Sequence, residues 1–365
     1  MVDVIGTGEY SPAPPGPDRA PPATRRENLA TVAFAAWLIG GLFVDGWAHN
    51  TGKPESFFTP WHGLFYSGFL AVAVWMATVV RRRGDGHGLR SAAPAGYGLG
   101  VVGVGIFAAG GVADMAWHQV FGIEVNLEAL VSPSHLLLFA GALLVITSPL
   151  RAAWADLASP SGTLREFAPV LGSTLLTTGT VAFLLMPFSP WLTGAMTRRP
   201  LRFIERRVAD PEVASWLRFE VELEGYAGIL VTTLLLLGPT LFLLRRWRLP
   251  FGTLTLLYGG VATLMAAIGT FLLGPAFLSG ALGGLAADLL CRRYPPDPAH
   301  PGRYRLVGAV PPLVLWLGYF GLLAAFESVG WSVELWFGSS VVSAFAGLGL
   351  SLLVVPPPLP APAQE

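Results

Sequence analysis

Charge is scarce in this sequence. Only 13% of its 365 residues are Asp, Glu, Lys or Arg, about half the share of an ordinary soluble domain, and the 23 basic and 23 acidic residues cancel to zero. Neither sign gathers into a stripe or block, which excludes nucleic acid and other polyanions as partners. Cysteine is nearly absent as well. Cys291 stands alone, so the chain has no intramolecular disulfide and no zinc-ribbon, iron–sulfur or Cys-x-x-Cys chemistry. There is no Gly-x-Ser-x-Gly elbow, no Walker loop and no His-Glu-x-x-His helix, which leaves hydrolase and ATPase readings without support. Metal chemistry, if the chain performs it, must use histidine and carboxylate.

Apolar residues fill the space that charge leaves, at 53% of the chain with a mean hydropathy of +0.58. Crossing roughly 30 Å of hydrocarbon takes about 20 helical residues. Ten apolar runs approach that length, at 29–47, 61–80, 97–117, 132–150, 168–188, 226–244, 252–274, 276–290, 306–326 and 334–355. The eighth is short and rich in glycine, and is the weakest of them. The expected fold is therefore all-α, a polytopic membrane helical bundle of about ten transmembrane helices, with the lipid bilayer as its first partner. Other membrane subunits or a second copy are further candidates.

Arginines sort the ends of these runs. Arg25 and Arg26, Arg81 to Arg83, Arg151 and Arg165, Arg245 to Arg248, and Arg292 to Arg305 all fall on the cytoplasmic side when both termini lie inside, as retained positive charge requires. The plasma (inner) membrane is the expected location. Residues 189–225 form an outer loop of mixed charge, a composition suited to helices lying along the interface. The Pro-rich stretches 1–28 and 356–365 read as disordered tails, the first retained and not cleaved as a signal peptide. Between them lie two span pairs, 29–150, and a helical scaffold, 151–355.

Four of the six histidines stand in two segments that read alike. The first runs Asp45-Gly-Trp-Ala-His49-Asn50, then Glu55 and Thr59-Pro60-Trp61-His62; the second runs Asp114-Met-Ala-Trp-His118-Gln119, then Glu128 and Ser132-Pro133-Ser134-His135. Both follow Asp-x3-His and then Glu-x4-Pro-x-His, an internal repeat of the kind common in membrane folds. Residues four apart share a helix face, so each aspartate points with its first histidine. A proline in the first turn with Thr or Ser before it starts the next helix, which places the second histidine just inside. Asp45, His49 and His62, and Asp114, His118 and His135, thus form two sets of two imidazoles and a carboxylate near the outer face. Such a set suits copper, non-heme iron or zinc and leaves coordination positions open. Ionisable groups at this depth mark a metal, a relay or a transport path. Glu55 and Glu128 can add a ligand, orient one or carry protons, while Asn50 and Gln119 can orient imidazoles or water.

On these residues the sequence resembles the C subunit of the copper membrane monooxygenases, the particulate methane and ammonia monooxygenases. Asp45, His49 and His62 reproduce that family's Asp-x3-His-x12-His spacing. Asp114-Met-Ala-Trp-His118-Gln119 and Ser132-Pro-Ser-His135 reproduce its local lettering. Two departures stand out: sixteen residues lie between His118 and His135, and Asp114 stands where the family's second site has asparagine. The resemblance covers roughly residues 29–145 and implies copper ligation with oxygen-dependent oxidation in a larger complex. Two other classes fit the histidines alone: a transporter or handler of copper or another metal, with the sets as successive stations, and an electron carrier with b-type heme between paired histidines.

The remaining signals have plainer readings. Trp47, Trp61 and Trp117 suit an aromatic belt, and Gly98, Gly100 and Gly103 suit close helix packing and not a dinucleotide loop. Asp288 is placed to pair with Arg292 one turn on. Cys291 reads as an inert, partly buried thiol, and His87 and His300 as solvated loop residues.

Overall fold

The structure is a computed structural model that describes residues 22–53, 58–82, 93–122, 127–156 and 162–356. Glu55, His87 and most of both tails lie outside the described residues. Capping chemistry sets the helix starts. Thr24 and Glu27 close a reciprocal capping box at the start of α1 (Arg25–Asn50), which satisfies two donors that the first turn leaves without partners. Thr59 with Pro60 starts α2 (Pro60–Arg81) and Ser132 with Pro133 starts α5 (Pro133–Ile146), each cap oxygen accepting from the histidine N–H three residues on. Between these pairs lie α3 (Gly98–Phe121) and one turn, α4 (Glu128–Val131). There follow α6 (Ser148–Ala155), α7 (Leu164–Leu184), α8 (Arg198–Arg207), α9 (Pro211–Arg246), α10 (Thr253–Ile268), α11 (Leu278–Arg293), α12 (Pro301–Phe326) and α13 (Val333–Val354).

Among the described residues there is no strand, and nine helical stretches are long and apolar enough to cross a bilayer. The chain is an all-α, polytopic integral membrane protein. The shortfall from ten lies in the seventh apolar run and not the eighth. After Ile268 the backbone turns left-handed at Thr270 (φ 52°) and Phe271 (φ 56°), so α10 stops at 16 residues. The Gly-rich eighth run, joined to the short 3-10 turn before it, reaches 20 residues over Gly274–Arg293. The sixth run also begins earlier than its apolar stretch. Asp210 caps a helix that continues unbroken for 36 residues, roughly 54 Å at 1.5 Å per residue, so 211–225 belong to α9 and not to a loop.

Side chains tie the helix ends together. Arg25 Nη2 donates to Arg165 O (2.7 Å) and Arg246 Nη2 to Asp156 O (2.9 Å), which gathers the starts of α1 and α7 and the ends of α6 and α9 at one end of the bundle. At the opposite end Asn50 Nδ2 donates to Ile268 O (3.1 Å). Asp288 does not pair with Arg292. Its carboxylate accepts from Leu254 N (3.2 Å), Thr255 N (2.9 Å) and Thr255 Oγ1 (2.7 Å), capping α10 from α11. Free backbone donors at a buried helix start need acceptors more than an arginine at the bundle end needs a partner. Arg292 instead lies 5.7 Å from the centroid of the Phe251 ring.

Two helical hairpins position the histidines, α1 with α2 and α3 with α5, and they close in the same register. A Cβ on Gly68 would come 2.6 Å from Leu38 Cα, and one on Gly141 would come 2.6 Å from Phe107 N. Leu38 and Phe107 each precede their motif aspartate by two turns, and Gly68 and Gly141 each follow their second histidine by six residues. Backbone contact at glycine lets the helices approach closely without a hydrophobic driving force. It also sets the height at which each imidazole meets its carboxylate.

Candidate metal centre

Each hairpin brings its three motif residues together. Asp45, at the end of α1, has its Oδ2 3.5 Å from His49 Nε2 and its Oδ1 3.4 Å from His62 Nε2. Asp114, near the end of α3, has its Oδ1 3.6 Å from His118 Nε2 and 3.1 Å from His135 Nε2. The paired imidazole centroids are 5.9 Å apart in both hairpins. Within each triad the three ligand atoms lie within 4.8 Å of one another. Bonds of about 2.0–2.2 Å put opposite ligands about 4.2 Å apart, so small side-chain adjustments close either triad on one ion.

Hydrogen bonding of the outer ring nitrogens suits such an ion. His118 Nδ1 lies 3.1 Å from Gly122 O, an acceptor only, so this nitrogen carries a proton and donates it. Nε2 of the neutral ring is then an acceptor aimed at the carboxylate oxygen of Asp114, another acceptor. Facing lone pairs need a cation between them, a proton or a metal ion. His62 Nδ1 lies 2.8 Å from Thr59 Oγ1, a hydrogen bond that orients the ring as metal-ligating imidazoles are oriented. Asp45 Oδ1 is buried without a hydrogen-bond partner among the described residues, which an ion would correct.

The aspartates differ in their support. Tyr66 Oη donates to Asp114 Oδ2 (3.1 Å) and Ser134 Oγ to Asp114 Oδ1 (3.1 Å). Asp114 is accordingly the more enclosed, its side chain 3% exposed against 14% for Asp45. Tyr66 stands one turn after His62 on α2 and reaches across to the second triad; the matching residue on α5 is Phe139. Tyr66 was missed in the sequence, though its place one turn from a ligand histidine is a usable signal.

Both triads open on one cavity of about 850 Å³. Its apolar wall comes chiefly from Leu42, Phe65, Phe107, Leu138, Phe139 and Phe183. The last belongs to α7, and Met186, Pro187, Leu192 and Thr193 beyond that helix extend the wall. Residues after 145 therefore take part in the site, among them Leu192 and Thr193 of the segment 189–225. Asn50 lines the cavity as well, with its amide committed to Ile268 O. Glu128 is exposed at the start of α4 and Gln119 is exposed near the end of α3; neither is part of the cavity wall. His300, exposed in a loop, has Nδ1 3.4 Å from Asp297 Oδ2.

Compared with protein-family models, curated proteins and solved structures, the chain has no significant match.

Proposed function

We propose that this membrane protein holds copper, or failing that iron, at its two triads, and takes part in oxygen-dependent oxidation as a distant relative of the C subunit of the copper membrane monooxygenases. The observation that carries this reading is the opening of both Asp-His-His triads on one apolar cavity. Asp45, His49 and His62 would hold one ion, and Asp114, His118 and His135 another. A bound copper ion with open positions supplies the binding and activation of dioxygen.

The rest of the work falls to the chain. Thr59 and the Gly122 carbonyl fix two imidazoles with Nε2 inward. Tyr66 and Ser134 hold the Asp114 carboxylate, and the phenylalanines give the cavity its apolar side. Electrons and protons would come from partner subunits. The motifs would face the outer side of the plasma membrane, with both termini in the cytoplasm.

Metal transport is the second reading, and it makes the triads successive stations along a path. Their placement on a single cavity at one end of the bundle favours retention over passage. Retention is testable by purifying the protein without chelators from cells supplied with copper, iron and zinc, dialysing it, and measuring metal and reductant-dependent dioxygen uptake. Copper that survives dialysis and supports uptake is expected. Metal that dialyses away, or zinc alone, overturns the oxidation reading.

A further inference from the structure

The cavity is much larger than a gas molecule requires. At about 30 Å³ per molecule of liquid water, 850 Å³ corresponds to on the order of 28 waters, and it falls in the range of about 300–1,000 Å³ that holds drug-sized ligands. A molecule the size of methane or ammonia would rattle in it, without the contacts that hold a reactant against a reacting group. The wall also selects by charge. No lysine or arginine lines it, and its charged groups are the Asp45 and Asp114 carboxylates with the histidines that face them. In metal-free protein an anionic head group would meet those carboxylates with no cation of the chain to balance it.

We infer that the cavity binds a neutral, largely hydrocarbon molecule of on the order of 20 non-hydrogen atoms, with one end at the triads and its body against Phe65, Phe107, Phe139 and Phe183. This names the substrate class for the site proposed above and rests on that site being the functional one. The aromatic edges and faces offer large, stiff contact area to an alkyl or isoprenoid body. The polar groups stand together at Asp45, Asp114 and Tyr66, so the two ends of a bound molecule meet different surroundings.

The test uses full-length protein in lipid nanodiscs, both as purified and after metal removal by chelator. The probe is a sixteen-carbon alkane carrying a photoreactive diazirine, with the labelled peptides mapped by mass spectrometry. Labelling should fall on segments 42–50, 62–66, 107–118, 129–142 and 183–193, with or without metal. Excess hexadecane should suppress it at least tenfold, butane should not, and hexadecanoate should not in metal-free protein. Ala142→Phe and Leu42→Trp fill the cavity from two walls and replace no triad residue, and each should cut labelling at least fivefold while metal content stays at the wild-type level. If one variant fails to fold, the other carries the comparison.

Labelling spread evenly over lipid-facing residues overturns the inference, as does suppression by butane, or by hexadecanoate in metal-free protein, equal to that by hexadecane. So does a phospholipid that co-purifies in the cavity, since the occupant is then a bilayer lipid. Loss of the metal reading is separate: protein that never retains metal but labels as described contradicts the oxidation proposal and leaves this one standing.

Discussion

Asp45 and Asp114 occupy the same place in two hairpins of the same register, yet their surroundings differ. Asp114 accepts hydrogen bonds from Tyr66 and Ser134 and is almost enclosed, whereas Asp45 leaves Oδ1 buried with no hydrogen-bond partner among the described residues. The difference comes from two positions. Trp61 stands where the other hairpin has Ser134, and Phe139 stands where the first has Tyr66. The carboxylate of the second triad is thus held by more of the protein's own hydrogen bonds than that of the first. Equal ligand sets need not bind equally, because groups that orient a ligand shift metal affinity by about 10–100-fold.

The largest test of that contrast is removal of each carboxylate. Asp114→Ala strands two hydroxyl donors in the bundle, and at about 1–3 kcal/mol per stranded group it should lower thermal stability far more than Asp45→Ala in metal-free protein. Equal losses in the two variants would break the comparison. Next come the glycine contacts. Gly68→Ala and Gly141→Ala each force a methyl group onto backbone at 2.6 Å, costing about 1–3 kcal/mol. Each should weaken metal at its own triad, as read by competition with a chelator; loss at the opposite triad alone would contradict the shared register.

Smaller effects sharpen the picture. Tyr66→Phe removes a hydrogen bond worth about 1 kcal/mol and should reduce affinity roughly tenfold at the second triad, although Tyr66 is the sequence neighbour of His62. Affinity lost at the first triad instead would show that the cross-hairpin bond is not what matters. Thr59→Ala and Ser132→Ala should each cost about 1 kcal/mol of cap energy. Thr59→Ala should weaken metal binding at its own triad more than Ser132→Ala does, because Thr59 holds His62 Nδ1 directly whereas Ser132 reaches Asp114 only through Ser134.

Much of each triad was legible from local rules. Asp-x3-His needs only the helical repeat, and Pro-x-His needs only a cap and a proline, since both describe neighbours within one turn. The meeting of the triads in one cavity was not legible, because it depends on how the hairpins and α7 pack. The same holds for Tyr66, whose hydroxyl crosses to another hairpin, and for Phe183, which lies beyond any motif. Asp288 shows the limit from the other direction: an i+4 arginine is a reasonable partner in an isolated helix, but α10 brought unsatisfied backbone donors that only the assembled bundle reveals. The seventh apolar run was long enough as composition, and a left-handed turn at Thr270 and Phe271 shortened its helix.

The central claim is that each triad holds its own ion on a shared cavity. The most direct measurement is metal per chain, by inductively coupled plasma mass spectrometry, on copper-supplied wild type, His49→Ala, His118→Ala and the double variant, each first shown to be folded. The account predicts about two equivalents in wild type, matching the two ligand groups, about one in each single variant and none in the double. Wild type without retained metal, or single variants that keep the full wild-type content, would contradict it.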